Sequence, residues 1–213
     1  MIPDTLTPLE PRLPGRECTA FAEARQIASG PLTAVALAVK RAVDAGETGT
    51  ILIFDDATSE PVELDLRGSL ADVEARYAGP VVETDSGQRR PGRPKLGVVA
   101  KEVTLLPRHW DWLNRQPGGA SVTLRKLVEE ARRANASADL KRQARDAAYR
   151  FMTAMAGNEP GYEEATRGLF AGDATRFATH SRLWPPDIRA HARKLASTAF
   201  DLPGGASGEE QPR

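Results

Sequence analysis

Apolar and polar positions alternate in the first third of the chain and recur at helical spacing in the rest. The stretches 19–22 and 25–28 read as a short hairpin. Ser29 ahead of Gly30-Pro31 opens a helix through Val35, Leu37, Val39 and Val43, stopped at Gly46. The run 50–54 reads as a buried strand. Asp55, Asp56, Ser59 and Pro61 then turn the chain into 62–66, which alternates like a half-exposed strand. Ser69 caps a short helix carrying Leu70, Val73 and Tyr77, with Asp72 placed as the acid of a capping box.

Beyond residue 98 the pattern predicts a short strand over 99–106, a helix from Pro107 to about Gln116 and a break at Pro117-Gly118-Gly119. Ser121 is then expected to cap a longer helix through Leu124, Leu127, Val128 and Ala131. Further helices are expected over 138–156, 160–171, 173–181 and 186–199, divided by Gly157, Gly161, Gly172 and Pro185-Pro186. The predicted class is α+β. Its parts are a flexible arm (1–16), a small α+β domain expected to fold by itself (17–79), a basic linker (80–98), a strand-helix-helix unit (99–135), a helical segment (136–200) and a disordered tail (201–213).

With 40% apolar and 27% charged residues, the composition is that of a globular chain. No apolar run reaches the roughly 18 residues that span a bilayer, and the first residues lack a signal-peptide pattern, so the expectation is a cytoplasmic protein away from membranes. Cys18 is the single cysteine, which leaves no intramolecular disulfide and no cysteine-rich zinc site; no metal or cofactor is expected. The net charge of zero conceals a marked asymmetry. Residues 1–85 hold 7 Lys/Arg against 15 Asp/Glu, 86–150 hold 15 against 6, and 151–213 hold 7 against 8. Positive charge is thus concentrated in the middle, where a polyanionic partner is favoured.

Within that middle, Arg89-Arg90-Pro91-Gly92-Arg93-Pro94-Lys95 resembles an AT-hook, a segment that lies in the minor groove of A·T-rich DNA. The physics suits such a role: prolines hold the chain extended, Gly92 permits close approach, and a narrow groove's negative potential attracts Arg93. Arg89, Arg90 and Lys95 would neutralise phosphates. The alternative is a plain basic tether. Residues 99–133 resemble a ribbon-helix-helix unit, in which two chains pair short strands and the second helix's first turn grips a phosphate. The resemblance implies homodimerisation, with Ser121, Arg125 and Lys126 near the DNA backbone and Lys101 and Thr104 as the groups able to reach a base edge. The alternative is a helical hairpin whose Trp110, Trp112 and Leu113 anchor a core or an interface.

Support for catalysis is thin. His109, His180 and His191 lie apart, and there is neither a phosphate-binding glycine loop nor a Gly-x-Ser-x-Gly elbow. Asp55-Asp56 after a buried strand is the one enzyme candidate, and turn formation explains it equally well. Taken whole, the chain resembles a bacterial family known as domain of unknown function 2239. The resemblance rests on Gly30-Pro31, Phe54-Asp55-Asp56-Ala57-Thr58, Asp65-Leu66-Arg67-Gly68, Gly92-Arg93-Pro94-Lys95-Leu96-Gly97-Val98-Val99, Arg108-His109-Trp110-Asp111-Trp112-Leu113 and Phe170-Ala171-Gly172-Asp173. It implies no activity. The expectation is a DNA-binding regulator or nucleoid-associated protein, dimeric through 99–133, with the C-terminal helices free for a protein partner. The alternative is an adaptor whose basic segment meets an acidic partner or its own acidic N-terminal part.

Overall fold

A computed structural model describes residues 16–78, 99 and 101–200. The described residues form two compact units, one of 16–78 with 140–200 and the other of 99 with 101–139. The class is α+β.

The first unit is built on a three-stranded antiparallel sheet of order β2-β1-β3, from β1 (Glu17–Ala22), β2 (Arg25–Pro31) and β3 (Ile51–Asp55). Between β2 and β3 runs α1 (Leu32–Asp44), and after β3 comes α2 (Leu70–Tyr77). Successive residues of a strand point to opposite faces, and β1 uses both. Cys18 and Ala20 join Val35 and Val39 of α1 and Ile53 of β3 in one core cluster. Phe21 joins Phe54 of β3 in a second cluster with Phe151, Met152, Leu169, Phe177, Trp184, Ile188 and Leu195. The rings of Phe21 and Phe54 each lie 5.3 Å from that of Phe151. Helices therefore cover the sheet on both sides. The anticipated division into separate segments 17–79 and 136–200 gives way to one shared core, because the second face of the sheet carries phenylalanines that only the C-terminal helices cover.

Those helices are the end of α4 (Gly119–Ala156), α5 (Tyr162–Ala171), α6 (Ala174–His180) and α7 (Pro186–Ala196), followed by a 3-10 turn Thr198–Phe200. Gly172 (φ 70°) ends α5 in the left-handed conformation, and the Asp173 carboxylate accepts from Arg176 N at 2.9 Å to start α6. The motif Phe170-Ala171-Gly172-Asp173 is thus a stop and a start. The capping box is as expected: Asp72 N donates to Ser69 Oγ at 3.3 Å, and Ser69 N donates to Asp72 Oδ2 at 2.7 Å.

Three local expectations differ from the structure. Residues 62–66 form no ladder; Pro61 makes an isolated bridge with Phe54, while Val62, Leu64 and Leu66 pack on the α1-side cluster, and that packing produces their alternation. Residues 101–106 form no strand, since a ribbon strand has no partner within one chain. The helices expected on either side of residue 135 are one helix of 38 residues. Between 131 and 138 stand alanines and no Gly or Pro, so nothing interrupts the backbone bonds, and Asn135 Nδ2 donates to Ala131 O at 2.8 Å. Consequently Ser121 lies inside the first turn of α4, whose first residue is Gly119, and is not its cap.

The shared core sets a measurable cost. Phe151→Ala should destabilise the first unit by about 3–5 kcal/mol, as for other buried aromatic truncations, read by chemical denaturation. A fragment of residues 17–79, which loses every cover for Phe21 and Phe54, should melt without a cooperative transition.

Candidate functional site

The second unit contains α3 (Pro107–Asn114), the turn at 117–118 and the first part of α4. Pro107 at the first helical position suits a start whose amide has no partner in the preceding turn. Of the predicted interface residues, Leu113 is buried (3% exposed), Trp110 is half-buried and Trp112 stands 51% exposed. Among the described residues of this unit Leu113 is the only buried side chain. Val103, Leu106, Leu127 and Val128 are exposed with Trp112, Val128 by 64%.

Lys101, Thr104, Ser121, Arg125 and Lys126 are all exposed, Thr104 and Ser121 included. On α4, Arg132 and Arg133 both pair with Glu129, at 2.9 Å each. Arg125 and Lys126 have no ion pair among the described residues. Arg89, Arg90, Gly92, Arg93, Pro94 and Lys95 lie outside the described residues.

Asp55 and Asp56 sit at the end of β3 in the first unit. Asp55 Oδ2 accepts from Arg16 Nε at 2.6 Å; Oδ1 accepts from Ala57 N (3.0 Å), Thr58 N (2.9 Å) and Thr58 Oγ1 (3.1 Å). Burial pushes the Asp55 pKa up, and these bonds outweigh it and hold the carboxyl below its ordinary range. Such a carboxylate closes the turn after the strand. Asp56 Oδ1 accepts from Thr19 Oγ1 at 2.6 Å and its Oδ2 from Lys194 Nζ at 2.8 Å, linking β1, the turn and α7. Asp65-Leu66-Arg67-Gly68 has a comparable structural use. Asp65 Oδ1 accepts from Arg67 N and Nε, and Arg76 of α2 donates to the carbonyls of Asp65 and Arg67. Gly68 has φ 91°, and a Cβ there would meet Asp72 Oδ2 at 2.7 Å.

One of the three separated histidines is a core residue. His191 on α7 is 3% exposed, with its ring 4.6 Å from Phe151 and 5.5 Å from Phe21, and its Nε2 has no hydrogen-bond partner among the described residues. Burial lowers its pKa to about 4, against an opposing pull from Asp56, and Lys194 lowers it further. Only its helical spacing with Ile188, Ala192 and Leu195 marked it as a core position. Cys18 is likewise inert: burial pushes its thiol up to about 11 despite the nearby Arg16. Among the described residues no group of His, Cys, Asp and Glu is arranged to hold a metal ion, and no helix is long and apolar enough to cross a membrane.

Residues 17–196 match the model of a family described as an uncharacterized protein conserved in bacteria, domain of unknown function 2239. The chain belongs to this bacterial family. Comparison with curated proteins and with solved structures gives no match.

Neutral His191 gives a pH dependence whose sign is fixed. Its native pKa lies below the unfolded value near 6.5, so the stabilisation is complete above about pH 6.5 and is lost as pH falls toward 4. The full loss is on the order of 3 kcal/mol, at about 1.4 kcal/mol per pKa unit. Denaturant titrations from pH 7 to 4 should show this decline in the parent and a shallower one in His191→Phe.

Proposed function

We propose that this protein binds DNA as a homodimer through its second unit, as a regulator or nucleoid-associated factor. The observation that carries the reading is the composition of that unit's surface. Among its described residues it buries one side chain and exposes Trp112, Leu127 and Val128, and Arg125 and Lys126 meet no acid there. So small a buried core does not offset the conformational entropy of ordering about forty residues, which favours a second chain as cover. Arg125 and Lys126, and the basic run 89–95 that precedes them in sequence, favour a polyanion.

Pairing of residues 101–106 between two chains would supply the backbone partners that one chain lacks. Thr104 and Lys101 would then stand on the ribbon, while Ser121, Arg125 and Lys126 meet phosphates. In this reading Asp55 and Asp56 carry no chemistry, their oxygen atoms being used by the turn, by Thr19 and by Lys194. Exposed Trp112 and Val128 favour a second reading, an adaptor in which a different protein covers the same surface and the basic segment meets that partner's acids.

The two readings separate in solution. The full chain should scatter light as a dimer at tens of micromolar without DNA, and a strict monomer counts against the first reading. The Arg125→Ala/Lys126→Ala variant should weaken binding to all duplexes alike and lower the slope of log affinity against log salt by about 0.9 for each phosphate it no longer neutralises. Arg93→Ala should instead weaken A·T-rich more than G·C-rich duplex if the segment 89–95 enters a minor groove. Undiminished affinity in both variants, or no duplex binding by the parent, leaves the adaptor.

A further inference from the structure

Eight cations of the first unit pair with acids among the described residues. Arg16 meets Asp55, Arg25 meets Glu47, Lys40 meets Asp44, Arg67 and Arg76 meet Asp65, Arg167 and Arg176 meet Glu164, and Lys194 meets Asp56. Six arginines of this unit meet no carboxylate among the described residues, Arg41, Arg145 and Arg150 among them, and the other three lie in the turn after α6 and on α7. Arg182, Arg189 and Arg193 have no carboxylate partner among the described residues. The acids on these elements are committed elsewhere: Asp173 caps α6, and Asp187 Oδ2 accepts from Gln26 N at 2.9 Å.

Arg182 and Arg193 line a shallow cleft of about 470 Å³ together with Ala174, Thr175, Ala178 and Thr179. The α6 residues of this lining follow helical spacing, and the two alanines leave room beside the longer side chains. The donors are largely unspent. Arg182 donates no side-chain hydrogen bond among the described residues, and Arg193 gives only one, from Nη2 to Ala178 O at 3.5 Å. Arg189 Nη1 donates to Arg182 O at 2.7 Å, which fastens the turn that carries Arg182 to α7. Thr179 gives its hydroxyl proton to Thr175 O, whereas the exposed Thr175 hydroxyl keeps its own. A bland explanation exists, because basic residues often sit at helix C-termini and bond the last carbonyls. It accounts for a single long bond out of the ten N–H groups on these two guanidiniums.

We propose that this cleft is a phosphate-binding site, distinct from the second unit, in which Arg182 and Arg193 hold the oxyanion and Thr175 donates a third hydrogen bond. Guanidinium forks match phosphate oxygens in geometry as well as charge. Two sources of the group fit, a free phosphoryl compound and the backbone of a nucleic acid, and they share this chemistry.

The test is a titration of the isotope-labelled full chain with inorganic phosphate, followed by amide and arginine Nε resonances at matched ionic strength against chloride. Saturable shifts should appear at 174–182 and 193. Arg182→Gln and Arg193→Gln should each weaken phosphate binding about tenfold or more, while Arg25→Gln, which breaks an ion pair outside this cleft, should leave it unchanged. Retained amide dispersion in each variant shows that it is folded. Adding a DNA duplex to the phosphate-loaded protein then separates the sources: displacement assigns the site to a backbone phosphate, and persistence assigns it to a free phosphoryl group. Shifts that do not saturate, that chloride reproduces, or that all three variants lose equally overturn the site. Because Arg125 and Lys126 take no part, this result stands or falls apart from the DNA-binding reading.

Discussion

The strand β1 must be covered on both faces, and the rest of the first unit follows from that constraint. A three-stranded sheet has too little surface to stabilise itself, and β1 is its centre, flanked by β2 and β3. Cys18 and Ala20 are small, so α1 can lie close against that face. Phe21, with Phe54 beside it on β3, presents bulk to the other face, where Phe151, Met152 and α7 close over it. The last helices therefore complete a core begun in the first strands, even though more than a hundred residues separate Phe21 from Phe151. Polar bonds fix the angle of this closure: Thr19 and Lys194 meet on Asp56, and Arg150 Nη1 donates to Thr58 O at 2.8 Å.

The second unit follows the opposite logic. Its helices are well specified locally, by Pro107 at a helix start and by the alanine-rich continuity of α4, but their apolar residues have little to bury against. Local propensity can set a helix's course without setting its partner. That contrast sets strong local definition beside exposed Trp112 and Val128, the surface on which the proposed association rests.

Much of the sheet and helix order was legible because local signals agree with the final packing: the hairpin of 19–22 and 25–28, the buried run 50–54, the capping box at Ser69 and the Gly172-Asp173 junction. Residues 62–66 misled because alternation reports which side is buried and says nothing of where the backbone bonds go. There, Asp65 N donates to Tyr77 Oη at 2.6 Å instead of to a neighbouring strand. The joint core of 17–78 and 140–200 was illegible for a different reason. Phe21 and Phe151 carry no local mark of each other, and the acidic first third and basic middle suggested a boundary that hydrophobic burial ignores. Of the candidate site residues, the exposure of Lys101, Thr104, Ser121, Arg125 and Lys126 was legible from their polarity, whereas the burial of His191 was hidden by its isolation in sequence.

Three of the motifs that carry the family resemblance have structural uses, and function is better sought elsewhere. Asp55 closes a turn, Asp65 and Gly68 shape the approach to α2, and Gly172-Asp173 joins two helices. Residues that satisfy backbone groups so fully have little left to offer a ligand. Groups with unspent bonding capacity among the described residues are of another kind: exposed arginines and a lysine, Arg125 and Lys126 on α4 in one unit and Arg182 in a turn with Arg193 on α7 in the other. Their cost in the free protein is small, because water solvates an exposed guanidinium well. An anion that replaced that water with two bonds of matched geometry would draw on them at little further cost. Both proposals therefore rest on exposed cations and not on the acids that close turns and cap helices.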